Sequence, residues 1–331
     1  MNRILVCLIA VGLLASCKND FDLIEEGNNF PVAYGFINLS DTAQYIRVER
    51  AFGEEDRNAV TLAQDPGEVF YDNVGVTLTN ESTGSVFTLE KVNAANEGYT
   101  RDPGDFLVDP NFLYKIRTSE LDLTGGEKVT LTITPPDDLS IATGQTTVIN
   151  PISMRFPNVD NPINLAATQT RIQLKTSPEV GIIGVRYYLY VRESQTFDPT
   201  VVDTVVAVWN VSDDLPMDSM VSTQTLILET RGFYQTLANQ LDKEADVIRR
   251  FSHLDIEIAY AGRELLEFRR IALANGGLSG SLELPPYTNL ENGRGIFSSK
   301  RDFLAEGILV DPRTRDSLAN GQITGDLNFI F

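Results

Sequence analysis

Few side chains in this 331-residue chain are equipped for covalent or metal chemistry. His253 is the single histidine, and the two cysteines are Cys7 and Cys17. Serine, cysteine and zinc-dependent hydrolysis lean on histidine as base or ligand. His253 stands between Ser252 and Leu254 at what reads as the start of a strand, and no partner geometry is indicated for it, so it reads as a structural or surface residue. The segment "GLSGS" (277–281) lacks the final glycine and the strand-to-helix setting of a nucleophile elbow. Phosphate-loop, dinucleotide-binding and C-x-x-C patterns are absent. Carboxylates are many, but a glycosidase pair is defined by its separation in space, which a sequence does not contain. Asp102, Asp105 and Asp109 in "DPGDFLVDPN" are candidate calcium ligands. Calcium takes about 6–8 oxygens, and a turn with solvated acids is the competing reading. The expectation is a protein without catalytic residues, cofactor or resident metal.

Two aromatic features bear on binding. Trp209, the one tryptophan, lies inside the strand-like "VVAVWNV" and reads as core. In "RYYLY", alternation puts Arg186, Tyr188 and Tyr190 on one face and Tyr187 and Leu189 on the other. The first face is the more polar, open to a ligand or to ordinary strand packing.

Cys17 has a different chemistry. Arg3, the apolar run Ile4 to Leu14 and then Ala15-Ser16 have the order of a secretory signal. The run is short of the roughly 20 apolar residues that span a bilayer. Leu14-Ala15-Ser16-Cys17 resembles the bacterial lipobox, in which the cysteine becomes the first mature residue and carries a diacylglycerol and an N-acyl chain. Two or more chains hold stably where one does not, so Cys17 is expected to be an anchor, with residues 1–16 removed and 17–29 an acidic tether. Lys18 followed by Asp20 and Asp22 is similar to a surface-export signal of Bacteroidota lipoproteins. The net charge of −19 argues against nucleic acid as partner.

The elements that would position these residues are mostly strands. "PVAYGFINL", "AQYIRVERAF", "NVGVTLTN", "SVFTLEKV", "FLYKIRT" and "KVTLTITP" are short runs rich in β-formers with turn signals between them. In the last, Val129, Leu131 and Ile133 would face a core. This predicts an immunoglobulin- or fibronectin-like β-sandwich over 30–150. The Pro- and Asn-rich "NPISMRFPNVDNPINLAA" reads as a crossing into a second, β-rich domain over 151–331. There "TRIQLKTS", "GVRYYLYVRE", "VVDTVVAVWNV" and "STQTLILE" read as strands. Phe233, Leu237, Leu241, Ala245 and Ile248 recur at helical spacing, with Thr230 as a cap. A second short helix carries Leu265, Leu266, Phe268, Ala272 and Leu273, and "RGIFSSKRDFLAEGILV" and "GQITGDLNFIF" read as closing strands.

"AGRELLEFRRIAL" followed by "LPPYTNLENGRGIFSSK" resembles the end of a large Bacteroidota outer-membrane lipoprotein family known only as a domain of unknown function (number four-two-four-nine). Asn289 to Phe297 matches its "sNI-nGlGiFg" motif, and the opening "VAYGFINLSDTAQYIRVERAF" fits its order. Leu265-Leu266 stand where the family favours aromatics. Taken physically, "NGRG" makes a turn and pins the following strand, with Phe297 as a core anchor. The resemblance implies a two-domain lipoprotein of the outer membrane and no catalytic residue. It also implies a partner, an outer-membrane β-barrel such as a TonB-dependent import receptor. A stand-alone surface binder of a glycan or peptide is the alternative; the cell-surface face is the expected one, with the periplasmic face as the other possibility.

Overall fold

The computed structural model describes residues 29–51, 58–136, 139–158, 160–217, 220–275 and 286–331. Cys17, nearly all of the tether and "GLSGS" lie outside them. The first half runs β1 (Pro31–Ile37), β2 (Ala43–Arg50), α1 (Ala59–Ala63), α2 (Pro66–Val69), β3 (Gly75–Asn80), β4 (Val86–Thr88), β5 (Glu90–Asn93), β6 (Phe112–Arg117), β7 (Lys128–Thr134) and β8 (Ala142–Thr147). The second half continues with β9 (Ser153–Phe156), β10 (Gln169–Lys175), β11 (Val180–Gln195), β12 (Val202–Pro216), β13 (Thr223–Glu229) and α3 (Arg231–Gln240). It ends with β14 (Val247–Gly262), α4 (Arg263–Asn275), β15 (Leu290–Glu291), β16 (Arg294–Ile308) and α5 (Pro312–Asn320).

The fold is mainly β. Eight strands form one sheet in the order β12-β11-β14-β16-β1-β2-β6-β5; five form a second, β15-β8-β7-β3-β4; three form a third, β13-β10-β9. Period-2 alternation explains why each strand buries one face. In β7, Val129, Leu131 and Ile133 are fully buried and the threonines between them are half-buried. They pack with Ala33, Ile46, Val76 and Leu78 in a core between two sheets. A second core gathers Tyr187, Leu189, Trp209, Phe233, Leu254 and Ile256.

Strand β16 joins the two halves of the large sheet. Its first part pairs parallel with β1, Val32 opposite Arg294 through Ile37 opposite Ser299. Its second part pairs antiparallel with β14, Ala261 opposite Lys300 through Leu254 opposite Ile308. Leu290 and Phe297, from the far end of the chain, therefore sit in the core built by residues 33–148. Buried Ser299 secures the joint, its hydroxyl donating to Ile37 O and accepting from Ile149 N, both at 3.0 Å.

Several expectations change. The helix expected to run from Phe233 to Ile248 ends at Gln240; Leu241 is already extended, Ala245 is exposed and Ile248 lies in β14. Polar Asp242, Lys243 and Glu244 interrupt the apolar face, which spacing alone did not register. Thr230 precedes α3 but makes no side-chain cap; its hydroxyl donates to Ala167 O. "GQITGDLNFIF" is not a strand: it forms a 3-10 turn at Gly325–Leu327 and a single bridge between Phe329 and Arg249. Asn328, at φ +56°, turns the chain out of the extended region. Helix α5 was not expected, although Asp311 accepting from Thr314 N at 2.8 Å, with Pro312 at the first helical position, is a readable start signal. His253 lies inside β14, not at a strand start.

Candidate functional site

The outward face of the first sandwich carries a trough. Because Ala33, Gly35 and Ile37 turn inward on β1, Val32, Tyr34 and Phe36 turn outward. On β2 the inward set is Gln44, Ile46 and Val48, which leaves Tyr45, Arg47 and Glu49 outside. The far wall is the segment after β5. Gly98, at φ +85°, ends a 3-10 turn and Tyr99 N donates to Ala94 O at 2.9 Å. Downstream, Leu107 N donates to Ala63 O at 2.9 Å, and Gln64 Nε2 donates to the carbonyls of Gly104 and Asp105. Tyr99, Arg101 and Phe106 are thereby held over β1 and β2.

Two cavities of about 410 and 590 Å³ open there and share Tyr34, Arg47 and Arg101 as walls. Their described lining includes five cations (Arg47, Arg50, Arg101, Arg294 and Lys300) against two acids (Asp41 and Glu49). That balance opposes the −19 of the whole chain. Glu49 Oε1 accepts from Arg47 and Arg101 at 3.1 and 3.2 Å, and Arg47 Nη2 also donates to Asn111 Oδ1 at 2.8 Å. Arg101 lies 5.0 Å from the Phe106 ring and Arg294 5.4 Å from Phe30, arrangements that keep a guanidinium against an aromatic face. Among the described residues, neither Arg294 nor Lys300 makes an ion pair, although Lys300 acts electrostatically on Asp302; Arg294 donates to Gly293 O. Tyr34, Tyr99 and Phe106 are 43, 52 and 49% exposed.

Tyr99 meets Tyr45 edge to face at 5.2 Å. Tyr45 donates to Glu97 Oε2 at 2.9 Å, and Lys115 donates to the same oxygen. Hydrogen bonds from Lys115 and then Tyr45 hold the Glu97 carboxyl below its ordinary pKa, while burial and then the Glu97 contact raise the Tyr45 phenol. A carboxyl made more acidic by folding contributes stability above its unfolded pKa and loses it as pH falls through the lowered folded value. Acidification below the ordinary carboxylate range is therefore expected to release the turn carrying Tyr99. The protection factors of the Ala95 and Tyr99 amides, taken against their intrinsic exchange rates, should fall in acid, and Glu97→Gln should abolish that fall; protection factors independent of pH in the parent protein would refute it.

The residues singled out from sequence are placed as follows. Asp102, Asp105 and Asp109 are all exposed, and no group of three or more metal-ligating side chains occurs among the described residues. Arg101 and Phe106 of the same loop wall the trough. Trp209 is 7% exposed and meets Tyr187 edge to face at 4.9 Å. Arg186, Tyr188 and Tyr190 do share the outer face of β11: Arg186 Nε donates to Asn210 Oδ1 and Tyr188 to Glu257 Oε2, both at 2.7 Å. Tyr190 stacks on His253 at 4.3 Å. Ser252 Oγ lies 2.9 Å from His253 Nδ1, but Asp255 Oδ1 is 3.8 Å from Nε2, beyond a hydrogen bond, and accepts from Gly307 N. The carboxylate does not orient the ring as a triad acid would. Cys17 lies outside the described residues. Tyr34, Arg47, Tyr99, Arg101 and Arg294 escaped sequence reasoning; alternation in "AQYIRVER" was the one signal, putting Tyr45, Arg47 and Glu49 on a single face.

No family model matches this chain, and no curated protein matches it. Among solved structures, the chain is similar to the C-terminal globular domain of an oligosaccharyltransferase from Pyrococcus abyssi, at 8% identity and a TM-score of 0.20, over 86% of this chain and 46% of that one. The chain thus spans about half the length of that structure, and so low a score carries no functional argument. Fold and trough together define a mainly β protein with an open, cation-rich aromatic groove on one sheet face.

Proposed function

We propose that this chain is a non-catalytic interaction protein of the outer membrane, held there by acyl chains on Cys17 and working beside a TonB-dependent import receptor. The trough is the observation that carries the binding part of this reading. It is open and walled by aromatic and arginine side chains, with no serine, cysteine or histidine among its described lining. The lipobox-like "LLASC" and the acidic segment after it support the anchored part.

Replacing Cys17 by alanine is expected to remove the acyl chains and with them the hold on the bilayer, because the net charge of −19 disfavours adsorption of the body as a whole on anionic lipid. Metabolic labelling with palmitate, beside fractionation after a high-salt wash, reads this out: the parent protein should take up label and the variant none, and a parent protein without label would end the anchor assignment. Crosslinked pull-down from native membranes in mild detergent tests the partner: a stoichiometric β-barrel supports the accessory role. A preparation free of any barrel favours the second reading, a stand-alone surface binder of a glycan or peptide, which the exposure of Tyr34 and Tyr99 supports.

A further inference from the structure

We infer that the trough binds an acidic oligosaccharide, its carboxylates taken by Arg294 at one end and Lys300 at the other and its rings laid against Tyr34 and Tyr99. This rests on the reading of the body as a binding module and names the ligand class of that site. Three observations carry it.

The first is charge. Arg294 and Lys300 are exposed and line the two cavities; Arg294 has no carboxylate partner among the described residues, and Lys300 makes no ion pair there, with Asp302 in its electrostatic reach. Both sit on β16 six positions apart, roughly 20 Å at about 3.3 Å per residue. A ligand spanning them therefore needs more than one negative group. A guanidinium already held against Phe30 is preorganised for planar, two-point recognition of a carboxylate.

The second is the trough's position in the sheet. It crosses β1, β2 and β6, each of which has a strand on both sides; the edges of that sheet are β12 and β5. Across most of the trough the backbone N–H and C=O groups are spent in the ladders; only Arg47–Arg50 of β2, which pair with β1 alone, leave an edge, and it is too short to seat an extended peptide along the whole trough. Recognition has to come from side chains.

The third is the kind of side chain present. Tyr34 and Tyr99 offer half-exposed rings with polar tips, apolar enough to cover a ring face and wet enough to meet hydroxyls. Arg47, Arg101 and Asn111 lie between the two ends with donors beside them. A chain of polar rings carrying carboxylates satisfies both sets at once. An acidic peptide would satisfy the charges and leave the tyrosine faces unused.

The test is calorimetric titration of the full-length lipidated protein in mild detergent with three probes: tetragalacturonate, an uncharged galactose tetrasaccharide and an oligoglutamate peptide. The uronate tetramer is expected to bind, with affinity falling as sodium chloride rises. Arg294→Gln should weaken it about tenfold or more, as loss of a hydrogen bond between charged groups does. Tyr34→Ala should weaken it too, and Arg186→Gln on the other half of the sheet should change nothing. Thermal melting of each variant separates lost contacts from lost fold. Equal binding of the uncharged sugar, binding of oligoglutamate alone, or no heat from any probe would each overturn the assignment. A receptor that copurifies while the uronate fails removes only this ligand. A uronate that binds while no receptor copurifies removes only the accessory role.

Discussion

Replacing Gly295 by alanine is expected to cost about 4 kcal/mol or more, at the exceptional end for a single substitution. Two effects add. Gly295 sits at φ +114°, a conformation that L-residues rarely adopt, and such strain alone costs on the order of 1–3 kcal/mol. In addition, a Cβ there would lie 1.9 Å from Ala33 O and 2.8 Å from Ala33 C. Those are backbone atoms of β1, so relief requires the strand to move. Moving β1 breaks its parallel ladder with β16 and lifts Phe297 from a fully buried position. Gly84 provides the comparison: at φ +73°, a Cβ added to it would meet nothing within 4 Å, so Gly84→Ala tests the strain without the collision. Melting midpoints of the two variants check this. Gly295→Ala should fall by roughly 10 °C or more, at about 2–4 °C per kcal/mol for chains of this order. Two variants melting together would show that the contact with Ala33 is not what makes glycine necessary.

Removing the Arg249 guanidinium should have the second-largest effect. The side chain is 2% exposed, and three of its donors have partners: Nε to Glu193 Oε1 at 2.6 Å, Nη1 to Leu327 O at 3.0 Å and Nη2 to Asp242 O at 2.7 Å. It thus ties β14 to β11, to the loop after α3 and to the last turn of the chain. The backbone repeats the last attachment, with Arg249 N donating to Asn328 O and Ile330 N to Arg249 O. Breaking a buried pair by removing one partner costs about 3–5 kcal/mol, because the remaining groups stay desolvated without a counterpart. Arg249→Met keeps most of the volume and should lose about that much. Arg249→Lys should rescue little, since one ammonium cannot reproduce a planar three-way contact. Hydrogen exchange separates this from a general loss of stability: amides at Leu327 and Ile330 should lose protection before those of β7. Uniform loss of protection, or a melting point unchanged by Arg249→Met, would refute the role.

Both sites show where sequence reasoning reaches and where it stops. "NGRG" was legible as a turn that pins a strand with Phe297 as anchor, since glycine and asparagine are what such a backbone demands. That the pinned strand lies against β1, some 260 residues earlier in the chain, had no local signal. Nothing in "ADVIRRFSHLD" sets Arg249 apart from its charged neighbours, because the groups that hold it include Glu193 and Leu327, far away in sequence.

Local pattern was enough to read this chain as mainly β. Alternation is a property of neighbouring residues, and it correctly set the faces of β7 and β11 and the burial of Trp209. Strand order, the double membership of β16, the end of α3 at Gln240 and the trough depended instead on the folded chain. The trough draws β1, β2, the segment 99–106 and β16 to one place. Periodicity states which face a residue turns to, but the partner met on that face is chosen by burial and hydrogen bonding between segments that the chain holds far apart.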